Sequence, residues 1–203
     1  MSQPADYPVD FTVPVDDESR SRGLAALGIF ALKAVMLLPH LILLGLFAIA
    51  IQFVVWIGYW TIVFTGGKPF WIDNIAIVYL AWLSRTYAWL TSATDVYPTF
   101  GANDAHPAQV SVVEAPEPQN RLLAGLGIIF IRPLLAIPHL FVLFWLTLGT
   151  GILAWVGYVV ILVTGSLPLS FHLYFVGFHR WWARAWAWIA ALTDEYPPFS
   201  LKA

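Results

Sequence analysis

Two long stretches without a single charged side chain dominate the hydrophobic pattern of the chain. The first runs from Ala34 to Gly67 and the second from Pro133 to Phe171. Each is longer than the roughly 20 apolar residues with which a helix crosses the hydrocarbon core of a bilayer. The pattern therefore predicts two long membrane helices, one over about 39–64 and one over about 138–163.

A shorter segment that mixes basic and apolar residues precedes each long helix. It covers Arg22 to Leu38 in the first case and Arg121 to Ile137 in the second. This mixture is typical of a helix that lies in the membrane interface and extends its basic side chains to lipid headgroups. The proline that follows, Pro39 or Pro138, predicts a bend before the long helix.

A turn containing glycine and proline follows each long helix and predicts a helical hairpin. The second helix of each hairpin is predicted over about 71–93 and about 171–192. It is more polar than the first and dense in tryptophan, which is enriched at membrane interfaces. Two alternatives remain for it, since it either crosses the membrane or lies along the surface. Crossing would give about four membrane helices in all.

The chain repeats itself at a constant offset of 99 residues, the spacing that separates Arg22 from Arg121. Pro-His-Leu, Trp-x-Gly-Tyr, Trp-x-x-Arg and Thr-Asp-x-Tyr-Pro-x-Phe all recur at that offset. Chance similarity between apolar segments would not align Pro, His, Arg and Asp, so the chain is an internal duplication. The predicted fold is an all-α integral membrane protein, a tandem duplication of an interfacial helix plus a transmembrane hairpin. Its predicted parts are an acidic aqueous tail (1–21), repeat 1 (22–100), a polar linker (101–120) and repeat 2 (121–203).

Composition excludes several classes of protein. Of the 203 residues 60% are hydrophobic and 11% are charged, against about 25% charged in an average soluble domain, which leaves too few charges for a soluble surface. A net charge of −2 gives no basic surface for nucleic acid. The chain has no Cys, phosphate loop, Gly-x-Ser-x-Gly or His-Glu-x-x-His motif. We therefore expect neither an enzyme nor a bound cofactor.

The order of these motifs resembles a bacterial membrane family, the domain of unknown function 4389. The resemblance covers both copies, and its most specific part is the closing Thr-Asp-Glu-Tyr-Pro-Pro-Phe-Ser-Leu of copy two. Copy one departs from this pattern at Val96 and Thr99. The resemblance implies a membrane hairpin protein and implies no activity.

The paired histidines His40 and His139 are the first candidate site residues. Each follows a proline at the start of a long helix. One interpretation is a structural cap on a free backbone group of the elbow, the junction between the basic segment and the long helix. The others are a contact with lipid headgroups or a proton relay, and a haem or metal site, because histidine is a common metal ligand.

Charged residues supply the remaining candidates. The elbow candidates, structural or lipid-binding, also include Lys33, Arg132, Arg22 and Arg121. A second set would close each hairpin as a clasp, bind anionic lipid or serve transport; it comprises Arg85, Asp95, Arg184 and Asp194. The arginine and the aspartate of each copy are ten residues apart, so they do not pair directly on one helix. Each aspartate is alternatively expected to contact the basic segment that precedes the long helix.

Most basic residues fall toward one face of this hairpin scheme, which predicts that both termini and the linker are cytoplasmic. With the bacterial source that the resemblance implies, the expected location is the bacterial inner membrane. The first functional hypothesis is a non-catalytic accessory or scaffolding subunit of a larger membrane complex, with lipids and other integral membrane subunits as partners. The alternative is a small oligomeric transporter, channel or lipid-binding protein. A third is a haem- or metal-binding redox subunit.

Overall fold

The computed structural model describes residues 7–15, 19–101 and 105–202. The described ranges contain eight helices and two short strands. In chain order these are β1 (Val9–Thr12), α1 (Arg22–Ile29), α2 (Leu32–Met36), α3 (Leu38–Thr65), α4 (Phe70–Leu90), β2 (Gln109–Val112), α5 (Arg121–Ile128), α6 (Ile131–Leu135), α7 (Ile137–Thr164) and α8 (Leu169–Ile189).

The two long helices form where the uncharged stretches predict them. α3 and α7 each have a proline in the first turn, where the missing N–H costs nothing. Each ends at a glycine in the left-handed conformation, Gly66 (φ 89°) and Gly165 (φ 83°), whose N–H caps the last turn. Both helices are long and apolar enough to cross a membrane.

The second helices, α4 and α8, lie at the centre of the molecule. They pack on each other, on the long helix of their own repeat and on the strands, so most of their side chains are buried by protein. Among the described residues, only α3 and α7 meet the length and hydropathy expected of a membrane span. The expected four membrane helices are therefore reduced to two candidates.

The basic and apolar segments are not continuous helices. The backbone breaks at Ala31 (φ 57°) and at the equivalent Phe130 (φ 62°), both in the left-handed region. This divides each segment into an eight-residue helix (α1, α5) and a single turn of five residues (α2, α6). The breaks at Ala31 and Phe130 thus precede Pro39 and Pro138, which lie inside α3 and α7.

The two repeats exchange their first helices. α1 of repeat 1 packs on α7 of repeat 2, and α5 of repeat 2 packs on α3 of repeat 1. The close approach depends on glycine, because a Cβ on Gly28 would lie 2.6 Å from the Tyr158 ring. Gly127 meets the Tyr59 ring in the same way, at 2.6 Å. Each repeat therefore completes the other.

The segment predicted as an acidic tail contains β1, and the segment predicted as a polar linker contains β2. β1 and β2 pair antiparallel, and Val9 and Phe11 are fully buried. The apolar residues alternate along β1 and face the helices, which gives the segment a buried side. Residues 1–6, 16–18 and 102–104 lie outside the described part of the chain.

The strand pair marks a pseudo-twofold axis. Phe11 pairs with Val110, which is the equivalent residue of the second copy at the 99-residue offset. Because the two equivalent residues face each other, the axis passes between them. α4 and α8 cross the axis antiparallel, with Tyr79 packed on Trp186 and Tyr87 on His179. Because each also packs as a hairpin on its own long helix, α3 and α7 run in opposite directions.

The positions of Arg22 and Arg121 differ from the hairpin scheme. Arg22 donates to Val163 O (3.4 Å) and lies against Gly165, at the end of the other repeat's long helix. Arg121 lies equivalently against Gly66. The exchange of first helices moves both arginines to the hairpin turns, so they no longer support the predicted sidedness.

Candidate functional site

The repeated motifs converge on two matching aromatic boxes, one in each repeat. In the first, Trp82 Nε1 donates to His40 Nδ1 at 2.9 Å, and the imidazole stacks on Phe100 with ring centroids 4.1 Å apart. Tyr97 packs edge-on against the same imidazole. The box thus joins Pro-His on α3, Trp-x-x-Arg on α4 and Tyr-Pro-x-Phe after α4.

The second box repeats this geometry around His139. Trp181 Nε1 donates to His139 Nδ1 at 2.9 Å, and Phe199 stacks on the imidazole at 3.8 Å. Both histidines are fully buried. Since Nδ1 accepts a hydrogen bond, Nε2 carries the proton of the neutral ring. That Nε2 is buried without a hydrogen-bond partner in either box.

These contacts differ from the backbone cap that is one interpretation of the sequence. The histidines accept from tryptophan indoles and do not cap the backbone beside the proline. Their enclosure keeps them away from lipid headgroups. Within the described residues, no three or more His, Asp or Glu side chains group as metal ligands.

The elbow cations Lys33 and Arg132 are fully buried, and this contradicts the expectation that they reach lipid headgroups. Lys33 Nζ donates to Trp89 O and, at 3.0 Å, to Ser92 Oγ. The last carbonyls of a helix lack intrahelical partners and carry partial negative charge, so they attract buried cations. Burial lowers the pKa of Lys33 to about 8, against an opposing effect of the Asp95 carboxylate.

Arg132 holds the end of α8 in the same way. Its Nε donates to Trp188 O (2.9 Å) and its Nη2 to Thr193 O (2.7 Å). Burial also lowers the pKa of its guanidinium. Its Nη1 forms an ion pair with Asp194 at 3.4 Å, so in copy two the aspartate meets the basic segment, the alternative named for it.

The predicted clasp residues hold chain segments in place. Asp95 and Asp194 each accept the backbone N–H of a helix N-cap, Ser21 or Asn120, at 2.6 Å. These bonds fix the starts of α1 and α5. The arginines bind elsewhere, with Arg85 Nη1 donating to Gly101 O at 2.8 Å.

Arg184 ties the N-terminal strand to α8. Its Nε donates to Val9 O and its Nη1 to Lys202 O, both at 2.9 Å. Asp10 forms ion pairs with Arg180 and, at 3.9 Å, with Arg184. Asp10 is not among the predicted site residues because it lies in the segment predicted as an aqueous tail. The alternation of the buried Val9 and Phe11 is the one local signal of a strand there.

A groove of about 330 Å³ opens between α1–α2 and α7, bordered by the end of α4 and the middle of α8. Its walls carry small side chains, including Ala31, Ala34, Gly151 and Ala154, and Lys33 is its one charged lining residue. At the equivalent positions the other half has larger residues, such as Phe130, Gln52 and Val55. Such an apolar lining suits an apolar ligand.

The comparisons with known proteins identify one family. The model of the family described as domain of unknown function (DUF4389) matches twice, over residues 29–102 and 128–200. No curated protein and no solved structure matches the chain significantly. The two matched regions together cover most of the chain and contain every residue of both aromatic boxes, and the protein therefore belongs to this family, in two tandem copies.

Proposed function

We propose that the protein is a non-catalytic accessory subunit of a larger membrane protein complex, located in the bacterial cytoplasmic membrane. One observation carries the proposal. α3 and α7 leave most of their large apolar side chains exposed, whereas the repeated polar motifs face inward. The exposed surface therefore offers contacts with lipids and helices, and the polar groups are occupied in holding the fold.

The exposed surface is extensive on both long helices. On α3 it includes Ile49 (64% exposed) and Phe53 (67%), and on α7 it includes Trp145 (58%) and Ile152 (70%). Soluble monomers rarely expose contiguous apolar surface of this extent. Glycines with open space around them, Gly45 and Gly151, add sites where a partner helix approaches closely.

The inward groups have structural partners. Lys33 and Arg132 bind helix ends, and the aspartates hold N-caps. Each box histidine lies among aromatic rings. Because its polar groups are used inside the fold, the protein would act through contacts of its exposed apolar surface with lipids and partner helices.

The test is a mild-detergent purification of the tagged protein from its native membrane, with bound proteins identified by mass spectrometry. We expect a stoichiometric set of membrane subunits. The Trp145→Leu variant keeps the surface apolar and introduces the residue that copy one has at this position, Leu46. It should weaken recovery of a partner bound to α7. A protein purified alone as a monodisperse monomer would contradict the proposal.

A further inference from the structure

We propose that the protein lies flat in one leaflet of the bilayer, with α3 and α7 immersed among acyl chains and the strand pair facing water. Neither long helix then crosses the membrane. The inference rests on the proposed membrane location and adds the orientation and the interacting surface, which is the hydrocarbon of a single leaflet.

One non-helical segment connects both ends of α3. Near the start of α3, Tyr97 OH donates to Met36 O, and His106 bonds Val96 O at 3.2 Å. At the end of α3, Gln119 N donates to Gly66 O at 2.8 Å. The segment between His106 and Gln119, which includes β2, thus runs from one end of the helix to the other.

The described residues of the N-terminal segment, 7–15 and 19–20, contact both ends of α7. Tyr7 OH donates to Glu195 O, beside the Tyr196 side chain that binds Leu135 O at the start of α7. At the end of α7, Arg20 N donates to Gly165 O at 2.8 Å. If α3 and α7 stood upright, the segment from His106 to Gln119 would traverse the bilayer as non-helical chain, and residues 7–15 would lie within the bilayer.

The bilayer core does not accept such segments. Two paired strands leave two open edges, and unpaired backbone groups in hydrocarbon cost several kcal/mol each. β1 also runs along the body of α8, from Arg184 (bound to Val9 O) to His172, which bonds Val13 O at 3.1 Å. The Asp10 ion pairs with Arg180 and Arg184 would then lie at mid-bilayer depth, where charges are most costly.

The apolar and polar surfaces are separated as a flat orientation requires. On α8, Val176 packs with the strands, whereas Phe178, Trp181 and Ala185 cluster with Leu143 of α7. These positions project from different faces of one helix. The strand pair and α7 therefore cover different sides of the α4–α8 layer. The outward strand residues include the exposed Thr12, and α3 and α7 carry no charge.

Single cysteines test the orientation, because the chain has no cysteine of its own. Val96→Cys and Phe70→Cys flank the two ends of α3 at exposed positions, and Glu195→Cys and Leu169→Cys are the matched pair for α7. A membrane-impermeant maleimide is applied to right-side-out spheroplasts and to inverted vesicles that contain the full-length protein. Thermal unfolding of each purified variant checks that it folds.

We expect the two cysteines of each pair to be labelled from the same side and only from that side. Thr12→Cys should be labelled from that side as well, and Phe53→Cys on the exposed face of α3 should be protected. Labelling of the members of a pair from opposite sides, or protection of Thr12→Cys, would overturn the flat orientation and leave the accessory role standing. Recovery of the protein in the soluble fraction, with every cysteine labelled, would overturn the membrane location as well.

Discussion

The histidines, tryptophans and aromatic residues of the repeated motifs act as one unit. A histidine after a proline, a tryptophan 42 residues later and a phenylalanine beyond the helix end meet in a box that occurs twice. The Trp-to-His hydrogen bond satisfies two buried polar atoms, and the stacked ring encloses the imidazole. These residues locate the start of each long helix against the second helix of its hairpin.

Two glycines of α5 provide a matched test of the exchanged packing. A Cβ on Gly127 would lie 2.6 Å from the Tyr59 ring, whereas a Cβ on Gly125 would meet nothing within 4 Å. Gly127→Ala should destabilise the protein by about 1–3 kcal/mol through overpacking. Gly125→Ala should stabilise it by roughly 0.5–1 kcal/mol through helix propensity. Thermal unfolding in detergent measures both, and equal shifts for the two variants would refute the Gly127–Tyr59 contact.

The lowered pKa of Lys33 predicts a pH dependence of stability. Burial sets the folded-state pKa of Lys33 at about 8, below the ordinary lysine value of 10.5. Between these values the unfolded chain binds more protons, so this group makes stability rise with pH. Below pH 8 the cost of burying the charge is fully present.

Lys33→Arg is the control for that dependence, because copy two has an arginine at the equivalent position, Arg132. Arginine stays protonated throughout the range. We expect the difference in Tm between wild type and variant to shift in favour of the wild type between pH 8 and pH 10. A difference that is constant with pH would mean that Lys33 does not titrate there.

The long helices follow from the sequence far better than the strands do. An uncharged run of this length specifies α3 and α7 locally, and each of their observed bounds differs from the predicted one by one residue. The two strands are four residues each and depend on a partner about 100 residues away. Local periodicity is too short there to outweigh the acidic and proline residues nearby.

Phe11 and Thr12 test whether β1 is part of the core. Phe11 is fully buried and Thr12, the next residue, is exposed. Phe11→Ala should cost about 3–5 kcal/mol, as for other buried aromatic residues. Thr12→Ala should stay within about 0.5 kcal/mol of wild type. Thermal unfolding and the rate of proteolysis at residues 7–15 measure both effects. If Phe11→Ala left the stability unchanged, residues 7–15 would be an aqueous tail, as the sequence predicted.

The whole molecule depends on contacts between its halves. α1 packs on α7, α5 packs on α3, and the two strands pair across the axis. The sequence reveals the duplication but not this exchange, because matched motifs do not show which copy a helix packs against. For that reason the sequence did not predict that Arg22 and Arg121 lie at the hairpin turns of the other repeat. These two arginines therefore do not support the predicted cytoplasmic side.

Separation of the halves should expose this dependence. We expect residues 1–102 and 103–203, co-expressed as two chains, to copurify and to unfold in one transition. Residues 103–203 expressed alone should be degraded by protease or recovered as a self-associated species. Size-exclusion chromatography with a tag on one half measures this. A stable monomeric half would show that the repeats fold independently.

The pseudo-twofold axis between Phe11 and Val110 also bears on what the tandem arrangement makes possible. A single repeat carries both sides of every exchanged contact, including a tyrosine and the glycine against which it packs, so one repeat alone could form these contacts only in a symmetric pair of identical molecules. In the tandem chain the same contacts are intramolecular and do not depend on concentration. Two linked copies can also differ from each other in sequence. The small residues that open the groove on one side, opposite Phe130, Gln52 and Val55 on the other, are a change that no identical pair can make.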